Sequence, residues 1–385
     1  MGGDWRRYPF ELVPGDAQLR FPDAEANHPD CESDTWFLAG ELAGGSGRRY
    51  AFLSIINKNR PGQSIVADFY TFALFDLDAG TYATYTDYDM PSANRHSSAS
   101  PKLSAANDHL DLTYEASAGT AVWRTCRDAR GELMPYTYDV EFVGADQAGQ
   151  TMGLDLRVTP SRPPVPLGAA VYSGKIECFG QPDTYSYFQT RMAMKGTLRW
   201  GSAQEEVSGS MGHVDRQWFA LVANSGGPNG DMRSRSHEWR TINLDNGVDL
   251  SIWRQFDRAN GNALQPFSGA TTSVPEGEPQ YADDIEVETF SYVQWPESVR
   301  TLVPPPASAR YMPDRHRLTS RELDLDLTGE PLVAAPAHAL PIEYMEGPYR
   351  YRGTMRGNPV SGFGFYERSL ALYRDWELAE ALSRT

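Results

Sequence analysis

A chain of 385 residues suits two domains or one large β unit rather than a single small domain. Its 40% hydrophobic and 12% aromatic residues exclude wholesale disorder, and 20 Tyr, 16 Phe and 9 Trp favour strands, since bulky rings fit a pleated surface. A net charge of −16 repels phosphate backbones and anionic membranes, so we expect no nucleic-acid partner.

The predicted elements follow an irregular N-terminal stretch that contains several prolines. Short aromatic-rich segments then alternate with turn signals, a pattern typical of antiparallel sandwiches and barrels. In the first half the predicted strands are 35–42, 49–56, 68–75, 82–88, 109–115, 121–127, 136–143 and 150–159. In the second half they are 185–194, 196–200, 206–214, 235–243, 248–256, 285–295, 321–327 and 342–355.

These strands outnumber those of a single eight-stranded barrel, so we predict an all-β protein of two similar units. The predicted N-terminal β-domain is 1–182 and the C-terminal β-domain is 183–385, with the boundary near Pro182. Over 367–382 the apolar residues recur at helical spacing, which predicts one C-terminal α-helix that covers part of the β body. A short helix that binds a partner is the alternative for this segment.

Several classes of protein are disfavoured by what the sequence lacks. There is no apolar run of about 20 residues, so we expect no integral membrane association. The N-terminus lacks the apolar core of a signal peptide, and Cys31, Cys126 and Cys178 have neither disulfide-framework nor zinc-site spacing. Reduced thiols in a cytoplasmic protein are therefore expected.

The stretch 209–218 concentrates polar and aromatic side chains after two glycines. In a strand, successive side chains point to opposite faces. His213, Asp215 and Gln217 then share one face, and Arg216 and Trp218 share the other. Because no third ligand accompanies His213 and a second histidine on a neighbouring strand, we predict no metal site.

The usual cofactor and nucleophile motifs are also missing. The chain has no GxGxxG after a strand, no phosphate-binding loop, no GxSxG and no HExxH. The fragment 362–364 has two glycines, but no βαβ unit surrounds it. These motifs therefore identify no reaction.

Four stretches, in order, carry a family resemblance. They are the opening hairpin text at 32–42 and 48–52, the strand 185–192, the signature Asp215-Arg216-Gln217-Trp218, and Glu346-Gly347 with 362–367. Together they resemble the lipocalin-like family that includes hydroxyneurosporene synthase (carotenoid 1,2-hydratase), kievitone hydratase and the fungal lipocalin-like Diels-Alderases. The resemblance implies two packed lipocalin-like β-barrels with a pocket for a hydrophobic small molecule where they meet. It also implies cofactor-free chemistry on alkenes.

Hydration of an alkene needs a carboxylic acid that an apolar site keeps protonated, and aromatic faces that stabilise positive charge. The candidate acids are Asp215, Glu32, Glu238 and Glu367. Of these we predict that Asp215 or Glu238 handles protons, and that Arg216 orients or polarises an oxygen of the substrate. The residues that we predict to bind substrate are Glu32, Tyr187, His213, Gln217, Trp218, Trp239, Trp253 and Tyr366. For the tryptophans, packing in the core is the competing interpretation.

The signature departs from the family pattern because Arg216 stands where the family has a histidine. Arginine stays charged and shuttles no proton near neutral pH, but it can bind a carboxylate or polarise a carbonyl. The prediction is a cofactor-independent lyase or isomerase, of hydratase or cyclase type, for a hydrophobic, partly oxygenated terpenoid or polyketide. The alternative is a non-catalytic carrier of a hydrophobic small molecule, and the oligomeric state stays open.

Overall fold

The computed structural model of the protein describes residues 3–59, 68–89, 102–178, 181–220, 235–257, 262–264, 268–296, 298–299, 311–340 and 343–369. Strands account for 66% of the structure and helices for 3%. Two large antiparallel sheets curl into half-barrels, which confirms the predicted all-β fold of two lipocalin-like units.

The first half of the chain supplies a short two-stranded sheet and then a large one. Its strands are β1 (Phe10–Glu11), β2 (Arg20–Phe21), β3 (Cys31–Gly44), β4 (Arg49–Asn59), β5 (Asp68–Asp76), β6 (Thr81–Asp89), β7 (Leu103–Ala105), β8 (Asp111–Ala116), β9 (Gly119–Arg127), β10 (Leu133–Ala145), β11 (Thr151–Thr159), β12 (Val165–Pro166), β13 (Lys175–Cys178), β14 (Gln181–Trp200) and β15 (Ala203–Ala220). The helical pieces are two 3₁₀ turns, Ala17–Leu19 and Asp23–Glu25, and α1 (Ala169–Tyr172).

The first large sheet runs β6-β5-β4-β3-β15-β14-β11-β10-β9-β8-β7, and β12 and β13 pair with β14. Side chains join its two edges: the Lys102 ammonium lies 2.5 Å from a carboxylate oxygen of Asp87, and the Tyr114 hydroxyl donates to the same side chain at 3.2 Å. One face of this sheet therefore encloses an aromatic core that includes Trp36, Trp123 and Trp218. We call this half the first barrel.

The second half of the chain builds the other large sheet and a small hairpin. Its strands are β16 (Arg235–Leu244), β17 (Asp249–Asp257), β18 (Gly269–Ser273), β19 (Tyr281–Ala282), β20 (Glu286–Thr289), β21 (Tyr292–Gln294), β22 (Tyr311–Pro313), β23 (His316–Ser320), β24 (Leu325–Pro331), β25 (Ala337–His338), β26 (Tyr344–Met355) and β27 (Asn358–Ser369). The large sheet runs β19-β18-β17-β16-β27-β26-β24-β23-β20, with β25 beside β26, and β21 pairs with β22. We call this half the second barrel.

The chain passes from the first large sheet to the second between β15 and β16, so β14 and β15 both belong to the first sheet. The domain boundary near Pro182 stays a prediction. Of the segment predicted as a C-terminal helix, Glu367 to Ser369 continue β27, and the rest lies outside the described residues. Within the described ranges, no helix is long and apolar enough to cross a membrane.

The two sheets pack face to face through a second apolar core. It contains Phe37, Ala39 and Leu53 from the first sheet and Trp239, Tyr344 and Phe365 from the second. A buried ion cluster fixes the same junction: Asp249 of β17 accepts from Arg162 at 2.9 Å, from Arg191 at 2.9 Å and from Thr190 at 2.7 Å. Apolar contacts and the ion cluster thus fix the position of one sheet relative to the other.

A buried carboxyl inside the first barrel predicts a pH dependence of stability. Tyr8 and Tyr138 donate to Glu25, but burial dominates and raises the pKa of that carboxyl from 4.5 to about 7. Glu25 then binds more protons in the folded state than in the unfolded state between these values, so its contribution to stability is complete below pH 4.5 and falls as pH rises toward 7. The loss is about 3 kcal/mol, at 1.36 kcal/mol per unit.

Denaturant unfolding at about pH 5 and about pH 8 measures this effect, because the two conditions bracket the titration. The Glu25→Gln variant has no proton to lose and should show a smaller decline than the wild type. An equal decline in both proteins would assign the pH dependence to other groups.

Candidate functional site

Strand β15 divides its side chains between the two apolar cores. Val214 and Trp218 lie in the core of the first barrel, whereas the His213 ring lies 5.2 Å from Trp239 of the second barrel, centroid to centroid. The pairing of β15 with β3 shifts its register between Ser208 and His213, just before these residues. The predicted alternation of faces along 213–218 is confirmed.

Close strand packing explains a glycine just before the signature. A Cβ built on Gly209 would lie 2.1 Å from the Glu41 carbonyl oxygen of β3. A side chain at this position would push β3 away. The glycine thus lets the signature strand run closely beside its neighbour.

Asp215 points into the junction between the sheets and keeps 17% of its side-chain surface accessible. Burial raises the pKa of this carboxyl well above its ordinary value, the negative charge of Glu367 raises it further, and Arg216 opposes both effects weakly. Both effects favour the protonated, neutral form of the Asp215 side chain. A carboxylic acid in that state can donate a proton.

Two more acids face the junction from the second barrel. Glu346 of β26 and Glu367 of β27 are directly paired across the strands. Glu346 is fully buried, accepts from the Tyr344 hydroxyl at 2.8 Å, and has a pKa raised well above its ordinary value by burial and by Glu367. Its other oxygen has no hydrogen-bond partner among the described residues. The Glu367 carboxylate lies 2.6 Å from the Nε2 atom of His237.

Aromatic rings pack around the residues that carry and contact these three acids. Phe37 and Trp239 meet edge to face with their centroids 5.2 Å apart, and Phe188 stacks on His213 at 5.7 Å. Trp253 stacks on His237 at 4.6 Å. The faces of such rings carry negative charge density and stabilise a nearby cation.

Arg216 lies in the first barrel and not beside the acids. Its guanidinium donates to Asp34 at 2.8 Å and to the Ala26 carbonyl at 2.7 Å, and it also donates to the Thr35 carbonyl. Burial opposes ionisation of Asp34, but Arg216, with His28 and Lys58, outweighs it and lowers the pKa of Asp34 to about 2. Arg216 therefore lies on the strand face opposite Asp215, and its predicted contact with substrate stays a prediction.

Glu238 has a similar setting in the second barrel. Its carboxylate accepts from Arg240 at 2.6 Å and from Arg254 at 2.5 Å, and Arg368 lies 3.1 Å away. Burial opposes the charge, yet the three guanidinium groups hold the pKa of Glu238 well below its ordinary value. Stabilisation of the charged form opposes the predicted role of Glu238 as a proton donor, and that role stays a prediction.

Three of the remaining predicted binding residues also lie inside one of the two barrels. Tyr187 and Trp218 pack in the first barrel, and the Tyr366 hydroxyl donates to Glu238 at 3.1 Å in the second. Gln217 is half-buried and pairs in register with Thr35 and Ser186. The side chain of Glu32 lies outside the described part of the structure.

The structure thus brings together Asp215, His213, Trp239 and Trp253 with Glu367, one of the candidate acids. It adds Glu346, His237 and Tyr344, which were not among the predicted site residues. Glu346 and Glu367 lie in stretches that carry the family resemblance. The sequence alone does not show that these two residues are paired across neighbouring strands. Among the described residues, no three His, Cys, Asp or Glu side chains are grouped as metal ligands.

Comparisons with known proteins agree with this architecture. The profile of the AttH-like family matches residues 12–368. An AttH-assigned protein from Nitrosomonas europaea has a TM-score of 0.65 at 17% identity, over 94% of this chain and 99% of the other. Kievitone hydratase from Nectria haematococca has a TM-score of 0.63 at 13% identity, over 94% and 98%. At these identities the structural likeness shows a shared fold, and a search of curated protein sequences finds no match.

Proposed function

The chain belongs to the AttH-like family, and from this premise we propose that it is a hydratase-type enzyme that adds water to a carbon–carbon double bond. The substrate is a hydrophobic, partly oxygenated terpenoid or polyketide. The observation that carries the proposal is the position of Asp215, which pairs in register with Phe37 and Phe188 at the junction between the sheets, where burial raises the pKa of its carboxyl. The name of the similar kievitone hydratase is consistent with this reaction type.

Asp215 starts the reaction by transferring its proton to one carbon of the double bond. The electron pair of the alkene forms the new C–H bond, which leaves a carbocation on the adjacent carbon and a carboxylate on Asp215. The rings of Phe37 and Trp239 stabilise the cation through their faces. Water then forms the C–O bond and releases a proton. Isomerisation begins with the same protonation and ends by loss of a proton. In cyclisation a second double bond attacks the cation, and the new cation that this forms loses a proton.

The alternative of a non-catalytic carrier predicts an apolar cavity with its charged groups at the rim. Here the acids lie in the interior instead. Asp215 and Glu346 both have pKa values raised by burial, and Asp215 retains accessible surface. Acids in this position favour catalysis over passive binding.

Isotope uptake tests the proposal before the substrate is known. The protein is incubated with terpenoid and polyketide extracts in H₂¹⁸O and, separately, in D₂O, and the products are analysed by mass spectrometry. Hydration adds one ¹⁸O atom and one carbon-bound deuterium to the same compound. Deuterium uptake alone would indicate isomerisation or cyclisation, and binding with neither label would indicate a carrier.

A further inference from the structure

We propose that His213 is a second catalytic residue, whose Nε2 atom holds the attacking water, accepts its proton and returns that proton to Asp215. The inference rests on the proposed function and deepens it. It assigns the fate of the proton that hydration releases inside a closed site. Nothing in the family comparison assigns a role to this side chain.

The position of the His213 ring is fixed on several sides. Its Nδ1 atom lies 2.7 Å from the Thr241 hydroxyl, and the ring stacks on Phe188 with an interplanar angle of 12°. Phe37 and Trp239 approach edge-on at 6.4 and 5.2 Å. One polar atom of the ring is therefore committed to Thr241, and the other is left to face Asp215.

The Nε2 atom of His213 lies 3.9 Å from a carboxyl oxygen of Asp215 and has no hydrogen-bond partner among the described residues. This separation is too long for a direct hydrogen bond, but one water molecule can contact both atoms. A buried ring nitrogen without a partner is destabilising, so a polar molecule is expected there. A water at this point lies beside both the proton donor and the base.

The proton cycle balances without an external acid or base. Asp215 gives its proton to the alkene carbon, and the water oxygen forms the C–O bond with the cation. His213 Nε2 then takes the second proton of that oxygen, which leaves the neutral alcohol and an imidazolium. The imidazolium returns the proton to the Asp215 carboxylate through the next water, and both groups regain their starting states.

The electrostatics of the resting site match this order of events. Burial lowers the pKa of His213 to about 3, so the imidazole is neutral in the resting site and is a weak base there. Once Asp215 has lost its proton, an adjacent negative charge favours the imidazolium. The base therefore becomes effective after the acid has acted.

Nitrogen-15 NMR of protein labelled at histidine tests the resting state directly, with His213 assigned from His213→Phe and His213→Asn. The expected tautomer carries its hydrogen on Nδ1 and leaves Nε2 as an acceptor, and the Nε2 resonance should move in Asp215→Asn. His338 is the internal reference for the opposite tautomer, because its Nε2 lies 2.7 Å from the Glu346 carbonyl and must donate. A hydrogen on His213 Nε2 would overturn the inference.

A kinetic measurement then tests the role in turnover. On any substrate that takes up ¹⁸O with the wild-type protein, His213→Phe should lower kcat about 100-fold with little change in KM. His213→Asn retains a polar group toward Thr241 and should be equally slow, which separates loss of the base from loss of packing. Unchanged kcat would reject His213 as the base, whereas absence of ¹⁸O uptake by the wild type would reject the proposed function itself.

Discussion

Asp215→Asn is expected to lower the rate of hydration about 10²- to 10⁴-fold, the usual contribution of a positioned general acid. The amide has nearly the same size as the carboxylic acid but cannot donate a proton to an alkene carbon. Binding of the substrate should change little, because the aromatic walls stay in place. Single-turnover rates and binding constants, measured on a substrate that takes up ¹⁸O, separate the two effects.

The matched control is Asp139→Asn, the same chemical change on the same sheet. Asp139 is exposed and paired with Arg157 at 2.5 Å, so its replacement should leave the hydration rate unchanged. Asp215→Asn should also unfold at the same or a higher denaturant concentration, since the amide removes the cost of protonating the carboxyl when the chain folds. A variant at position 215 that retained the wild-type rate would exclude Asp215 as the proton donor.

Glu238→Ala is expected to destabilise the protein by about 3–5 kcal/mol, as is usual when one partner of a buried ion pair is removed. The mutation leaves Arg240 and Arg368 without the carboxylate that lies 2.6 and 3.1 Å away. Urea denaturation measures the loss of unfolding free energy. Under conditions where the variant remains folded, its hydration rate should be close to that of the wild type.

The informative control for this prediction is Glu330→Ala. Glu330 pairs with Arg315 at 2.7 Å, but both side chains are about half exposed, so the expected cost is at most about 1 kcal/mol. If Glu238→Ala were as stable as the wild type but inactive, Glu238 would be a catalytic acid and our structural assignment would be wrong.

Much of the site could be predicted from one strand and one resemblance. Alternation along β15 predicts that His213 and Asp215 face away from Arg216, and the structure confirms it. The regular spacing of short strands predicts the all-β architecture. The motifs of the family resemblance contain both acids of the second barrel, of which Glu367 was a candidate acid and Glu346 was not.

The partners of each charge could not be predicted, because they come from distant parts of the chain. Arg216 is neutralised by Asp34, 182 residues away, and Glu238 by Arg368 as well as by near neighbours. Sequence spacing does not distinguish an ionised carboxylate among arginines from a neutral one among aromatic rings. That distinction depends on which face of which sheet each strand presents to the junction.

The ionisation state of Asp215 at neutral pH tests the central claim most directly. Carbon-13 NMR of protein labelled at aspartate carboxyl groups, with the resonance assigned by its absence in Asp215→Asn, measures that state without a substrate. We predict a carboxyl signal that stays at the protonated position at pH 7. A signal that titrates near the ordinary aspartate pKa of about 4 and is ionised at pH 7 would contradict the account.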